Sequence, residues 1–421
     1  MGSRTVYSIG EICSFSKGAS VPRVRMFESG DLKYIHYGDL YKGFDLYIDA
    51  ANSQKPIPFI SKEERVKPDQ YIEQEDIVYV LTSETVEDLG HSFMVRNVDD
   101  YRIVAGTETT IMRVIRKDIV LPAYLNYLLH TQLFKKLLRQ YVTGMKVFRV
   151  HPRDISRIEI ELPSIDEQCK IVSILDGIYD KEQINKRLND YLAELQQVLY
   201  AEWTKNGIVV TVGDVAAVVD CLHSKKPERQ SEGRPLIQLN NIFDDGILNM
   251  QDTFWISEND YEKWISRCEI EPGDCVITNV GRIGAVSQAP RGTKAAMGRN
   301  MTCIRPYQYP ATLITALCSK AMRYEIEKRT DSGTIMNALN VRNIPKLELM
   351  FAPESKRDEI ESILRTIQDQ REVLLEERNH LANLRDALLP KLMSGEIDVS
   401  KVDLTQLFDQ AEGASRFDGK R

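Results

Sequence analysis

At 421 residues the chain is too long for one ordinary domain and suits two. Its 43% hydrophobic and 28% charged residues exclude a largely disordered chain and supply sizeable cores. No apolar run approaches the ~18 residues that span a bilayer, and the N-terminus lacks the order of a signal peptide, so a cytoplasmic protein with no membrane contact is expected.

A net charge of -7 and a pI near 5.6 suit nucleic acid poorly as totals, so the distribution along the chain matters more. The first region, 1–163, alternates short β-branched runs such as Ile77–Val80 with Gly, Pro and Asp, which predicts strands joined by turns. An amphipathic helix is predicted over 123–141. From 109 to 153 the only acid is Asp118, against cations that include Lys135, Lys136, Arg139, Lys146, Arg149 and Arg153.

A different pattern begins at 164. Apolar residues recur at Ile171, Ile174, Leu175, Ile178, Leu188, Leu192, Leu195, Leu199 and Trp203, the spacing of a long coiled-coil helix over 164–206. Pro163 precedes it and Gly207 follows, as helix punctuation requires. The region 207–352 then returns to short strands such as Cys275–Thr278, with a helix predicted over 311–328. Between 275 and 324 there is no carboxylate at all, while Arg282, Arg291, Lys294, Arg299, Arg305, Lys320 and Arg323 fall inside. A second long helix is predicted over 353–395, with Ile360, Ile363, Leu364, Ile367, Leu374, Leu381, Leu384, Leu388 and Leu392 on its apolar stripe. An acidic, flexible tail is expected over 396–421.

The chain repeats itself. A shift of 189 residues lays Arg153, Asp154 and Ile155 on Arg342, Asn343 and Ile344, and without a gap lays Leu192, Leu195 and Leu199 on Leu381, Leu384 and Leu388. Upstream the register drifts, yet Gly10, Glu11 and Ile12 answer to Gly213, Asp214 and Val215, Asp76 to Asp274, Gly106 to Gly298 and Pro122 to Pro310. The expected fold class is α+β: two tandem domains, each followed by a long helix, the helices pairing as an antiparallel coiled coil about a pseudo-two-fold axis. A helix of 40 residues is ~60 Å long, which would hold the two domains apart.

Several chemistries are missing. There is no G-x-x-x-x-G-K-[ST] loop for nucleotide and no Gly-rich loop with a following Asn-Pro-Pro-aromatic tetrapeptide for methyl transfer. Glu354 and Lys356 have nuclease-like spacing but open a helix, where an acid is expected on electrostatic grounds. Seven scattered cysteines without a C-x-x-C pair predict neither disulfides nor a metal centre.

The ending LANLRDALLPKLMSGEI at 381–397, the passages IEIELP at 158–163 with Glu167 and Gln168, and LELMFAP at 347–353 resemble the specificity subunits of type I restriction-modification enzymes. The likeness runs through nearly the whole chain in the order target-recognition domain, helix, target-recognition domain, helix. Two departures stand out: Lys356 and Arg357 replace the second Glu-Gln, and TNVGRIG at 278–284 faces the acidic TSETVEDLG at 82–90.

The resemblance implies a subunit without catalysis of its own that reads a bipartite DNA target and docks two modification subunits, and in the full enzyme two restriction-translocase subunits. S-adenosylmethionine and ATP would belong to those partners, and the chain itself would need no cofactor. DNA contacts are expected from Lys146, Arg149 and Arg153 in the first domain, and from Arg282, Lys294, Arg299, Asn300, Thr334, Asn337 and Arg342 in the second. Arg282 lies on a glycine-flanked turn and is the type of side chain that pairs with guanine. His151 is expected to be structural. Subunit contacts are expected along Leu192, Leu195, Leu199, Trp203, Leu381, Leu384, Leu388 and Leu392. Two competing readings are a coiled-coil scaffold that binds only protein, and a nuclease or methyltransferase with an unrecognised site.

Overall fold

A computed structural model describes residues 4–41, 44–50, 56–96, 102–243, 245–330 and 338–402. Thr334 and Asn337 lie outside the described residues. The chain divides into two compact units, one made of Met1–Tyr179 with Asn383–Arg421 and the other of Asp180–Ala382.

The first unit is built on two sheets. The five-stranded sheet runs Cys13–Lys17, Thr109–Val114, Ile77–Val80, Ser92–Arg96, Tyr47–Asp49 in spatial order, and the four-stranded sheet runs Phe59–Ile60, Leu32–Ile35, Arg102–Ala105, Tyr71–Ile72. Ile77–Val80 is buried at every position, so its unbroken apolar run is that of a strand covered on both faces. The N-terminal strand Thr5–Ser8 pairs antiparallel with Glu159–Leu162, which returns the chain to the start of the unit.

The second unit repeats this order strand for strand: Ala216–Asp220, Met301–Pro306, Cys275–Thr278, Val286–Gln288, Gly246–Ile247, beside Phe254–Ile256, Arg234–Ile237, Ala295–Met297, Glu269–Ile270. Ile208–Thr211 pairs antiparallel with Glu348–Phe351, as the N-terminal strand does in the first unit. The short helices Ile9–Ile12 and Val212–Val215 even carry the same capping box, Ser8 with Glu11 and Thr211 with Asp214.

The two long helices are Ile165–Thr204 and Arg357–Ser394. Each opens with acids, Asp166 and Glu167 in one and Asp358 and Glu359 in the other, which suits the positive end of the helix dipole. Within the first unit, Ile171, Leu175, Leu392 and Met393 are buried in the same core as Tyr124 and Tyr127. The segment after the helix begins as folded chain, for Val399 is fully buried there and Lys170 donates to the carbonyl of Ser400 at 2.8 Å.

Within the second unit the helix segments run antiparallel, since Asn185 bonds Glu377 at 2.8 Å while Gln196 bonds Gln368 at 3.2 Å. This seam follows the apolar stripe read from sequence only in part. Arg371, only 3% exposed, donates to Asn189 at 3.2 Å and to Gln196 at 2.6 Å. Ile184, Leu188, Tyr191, Leu195 and Val198 stand exposed instead, Tyr191 at 66%. The heptad spacing is real, and Ile360, Leu364 and Leu374 of the predicted stripe are buried, but amides and one arginine share the seam with them while Leu188, Leu195, Ile363 and Leu384 face outward.

Candidate nucleic-acid interface

Each unit gathers its loops around one repeated backbone junction. In the first, the amide of Gly106 donates to Ile35 at 2.9 Å, that of Leu81 to Glu108 at 2.9 Å and that of Val150 to Leu81 at 3.1 Å. In the second, Gly298 donates to Ile237 at 3.0 Å, Asn279 to Asn300 at 2.8 Å and Leu339 to Asn279 at 2.9 Å. A Cβ on Gly106 or Gly298 would fall 2.5 or 2.3 Å from the accepting carbonyl, so only glycine fits. Glu108 and Asn300 occupy the same left-handed corner, with φ of 59° and 64°.

Behind the junction lies an arginine clasp. Arg113 binds both oxygens of Asp76 at 2.8 and 2.7 Å and the carbonyl of Tyr71 at 3.2 Å. Arg305 binds both oxygens of Asp274 at 2.8 and 2.6 Å and the carbonyl of Glu269 at 2.6 Å. Those hydrogen bonds push both guanidinium groups further toward the charged form. Two of the cations in the basic runs are therefore scaffold.

In the first unit Thr143 and Arg149 exchange backbone bonds of 2.9 and 2.8 Å and close a hairpin tip. Gly144, at φ +101°, makes the turn possible, and Met145 projects at 95% exposure with Lys146 exposed beside it. The returning strand Phe148–Arg149 zips onto Thr82–Ser83, at the start of the acidic loop. Arg149 lies 3.6 Å from Glu108, which ties one expected DNA contact to a carboxylate. Lys146 and Arg153 are exposed and make no ion pair among the described residues.

In the second unit the glycine-flanked turn carries Gly281 and Gly284 at φ +82° and +78°. Arg282 does not simply point into solvent, because its guanidinium donates to the carbonyl of Ile242 and pins the neighbouring loop. Arg299 and Asn300 are exposed at the junction corner. Lys294 precedes the strand Ala295–Met297, whose far end leads to Arg299, so the two cations lie about 16 Å apart along the chain. Arg342 is exposed on the turn that corresponds to the one holding Arg153, and Asn340 caps its amide at 3.0 Å. Arg291 is drawn off by an ion pair with Asp369.

Residues 3–194 match the family described as Type I restriction modification DNA specificity domain. Over those residues the chain is similar to that domain. A protein of Methanocaldococcus jannaschii named Type I restriction enzyme MjaIX specificity subunit is 21% identical over 440 residues, covering 95% of this chain and 94% of its own. The crystal structure of a type I restriction-modification S subunit from M. genitalium shares the fold, with a TM-score of 0.55, 15% identity, and coverage of 93% of this chain and 96% of that one.

The motifs that carry the likeness have physical reasons. Gln168, of the Glu-Gln pair, is fully buried, donating to the carbonyls of Ile119 at 2.8 Å and Pro163 at 2.9 Å and accepting from the amide of Leu121 at 2.9 Å. Arg357 stands at the repeated position and donates to the carbonyl of Ala352 at 3.0 Å, the counterpart of Pro163. The departure in sequence keeps one anchoring bond. Of the residues expected at subunit contacts, Leu392 is buried and Leu388 packs on the first unit's core, while Trp203 packs on Ala311, Ala352, Ile360 and Leu364. Leu195 and Leu384 are exposed, and Leu192, Leu199 and Leu381 are half-buried.

Two clusters have metal-ligand composition. Donor atoms of Cys268, Asp274 and Cys303 lie within 4.8 Å of one another, but Arg305 holds both oxygens of Asp274 and places a cation against the site. In the other, with Cys221, His223 bonds Asp220 at 2.8 Å. Sequence reading passed over the second unit's loop at Lys226 and Arg229 and the turn at Gln238 and Asn240, because no regular period marks them. No helix among the described residues is long and apolar enough to cross a membrane.

Proposed function

We propose that the chain is the DNA-reading subunit of a type I restriction-modification complex, with one target-recognition domain at 1–163 and another at 207–352, each reading one half of a bipartite target. The observation that carries this reading is the repeated unit itself: an identical strand order and arginine clasp beneath loops of different charge. Two readers with one scaffold and different loops are what two different half-sites require. Lys146 and Arg153 on one unit, and Arg299, Asn300 and Arg342 on the other, supply phosphate and base contacts. Arg149 and Arg282 act partly by shaping their loops, and Lys294 contacts a flanking phosphate.

The helices at 164–206 and 353–395 serve as spacer and as the dock for two modification subunits, joined by two restriction-translocase subunits where these are present. Leu192, Leu195, Leu199 and Leu384 are the surface positions of that dock. Catalysis, S-adenosylmethionine and ATP belong to the partners, and the complex works in the cytoplasm. Single-molecule sequencing of methylated adenines in cells with and without the gene tests the reading. A two-part motif that vanishes with the gene is expected. Methylation or cleavage by the purified chain alone would sink it.

A further inference from the structure

The second unit holds a polar cleft of about 370 Å³ lined by Lys226, Arg229, Gln238, Asn240, Asp252 and Phe254. The ammonium of Lys226 sits 4.3 Å above the Phe254 ring and the guanidinium of Arg229 5.8 Å from it, so the aromatic face gathers two cations on one wall. Lys226, Arg229 and Asp252 make no ion pair among the described residues, and the Asn240 amide has no hydrogen-bond partner among them. These groups are available to a ligand.

The cleft adjoins the junction loops. Gln238 directly follows Ile237, whose carbonyl accepts from Gly298, and its side-chain nitrogen would lie 2.9 Å from a Cβ on Gly298. The exposed corner of Arg299 and Asn300 comes next in sequence. The turn is rigid: the Asn241 side chain accepts from the amide of Gln238 at 2.8 Å and donates to the carbonyl of Asn249 at 2.9 Å. Arg282 holds the carbonyl of Ile242 just beyond.

The first unit closes the same place on itself. His36 stands where Gln238 does and spends its Nδ1 accepting from the amide of Gly38, the counterpart of Asn240, at 3.1 Å. Arg23 pairs with Asp39 at 3.2 Å. In the second unit Gln238 likewise turns inward, its side-chain nitrogen donating to the carbonyl of Ile237 at 3.1 Å and its side chain capping the turn, but the Asn240 amide, a carboxylate and two cations are left open.

We propose that this cleft reads base edges of the second half-site, with the Asn240 amide, positioned by the Gln238 turn, matched to the donor and acceptor of adenine, Asp252 to the amino group of cytosine, and Lys226 and Arg229 on the adjoining phosphates. The proposal rests on the DNA-reading function above. An amide pairs with adenine N6 and N7 through one donor and one acceptor, and a correct pair discriminates about tenfold or more against the wrong base.

The test uses the full chain assembled with its modification subunits, with methylated adenines mapped by single-molecule sequencing. Gln238→Ala with Asn240→Ala is expected to relax one or two positions of one half-site about tenfold and leave the other half-site intact. Lys226→Ala with Arg229→Ala is expected to lower methylation at every site without changing the motif. If the amide double variant loses methylation altogether, Asn240→Asp, which keeps the shape and removes the donor, decides: an altered half-site supports the proposal and an unaltered motif overturns it. An unchanged motif in the amide double variant, or change in both half-sites, also overturns it while the bipartite reading stands. A wild-type complex that yields no two-part motif overturns both.

Discussion

The two units share strand order, junction and clasp, and differ where their loops meet solvent. The first surrounds its junction with Glu84, Glu87, Asp88 and Glu108, against which Arg149 and Arg139 are set. The second surrounds its junction with Arg282, Arg299 and Asn300, and no acid is found there between 275 and 324. Buried positions are constrained by packing and by the cost of unpaired polar groups, so duplication preserved them. Loop tips carry no such constraint, and divergence collected there.

If the clasp is the shared element, breaking it should be equally costly in both units. Asp76 and Asp274 are 2% and 3% exposed, and each faces a partly solvated arginine. Asp76→Ala and Asp274→Ala are each expected to destabilise the unit that holds them by about 3 kcal/mol, read as the lowered transition of that unit in thermal unfolding. A large effect in one and none in the other would mean the clasps are not equivalent.

The next effect should be confined to the first unit. Burial pushes His130 down to about 4, and its ring lies 2.8 Å from the carbonyl of Ser92, whereas Cys318 occupies the corresponding place in the second unit. The unfolded histidine binds its proton near pH 6.5 and the folded one only near 4. The contribution is therefore complete above pH 6.5 and lost as pH falls toward 4, by at most about 3 kcal/mol. His130→Gln, which retains a donor for Ser92, is expected to flatten the first unit's stability between those pH values. The second unit's profile should not change.

A smaller contrast concerns the helix anchors. Gln168→Ala removes three hydrogen bonds from a buried amide and is expected to cost about 2 kcal/mol. Arg357→Ala removes the single bond to Ala352 and is expected to cost about 1 kcal/mol. Chemical denaturation of each variant measures both, and the reverse order would show that the Glu-Gln pair matters for something other than anchoring.

The smallest effects are single phosphate contacts. Lys146→Ala in the first unit and Arg299→Ala in the second are each expected to lower the slope of log affinity against log salt by about 0.9 in the assembled complex. Fluorescence anisotropy across a salt series reads this. A slope that moves for Arg299 alone would mean that the acidic first loop keeps its hairpin off the DNA.

The repeat, the α+β class and the order of domains and helices were legible in the sequence, because each follows from a period: 189 residues for the duplication, two for strands, three and four for the helices. Which cations are available was not legible. Arg305 and Arg291 lie in the same carboxylate-free run as Arg299, yet they are bound by Asp274 and Asp369, which are distant in sequence or outside the run. A one-dimensional charge count cannot see partners brought in by folding.

The helix pair gave the same lesson with the opposite sign. Heptad spacing fixes that Ile184, Leu188, Tyr191, Leu195 and Val198 share one face, but not what that face meets. Only the tertiary structure seats Arg371, Asn189 and Gln196 in the seam and turns the apolar face outward, since periodicity orders side chains around one helix and burial depends on everything packed against it.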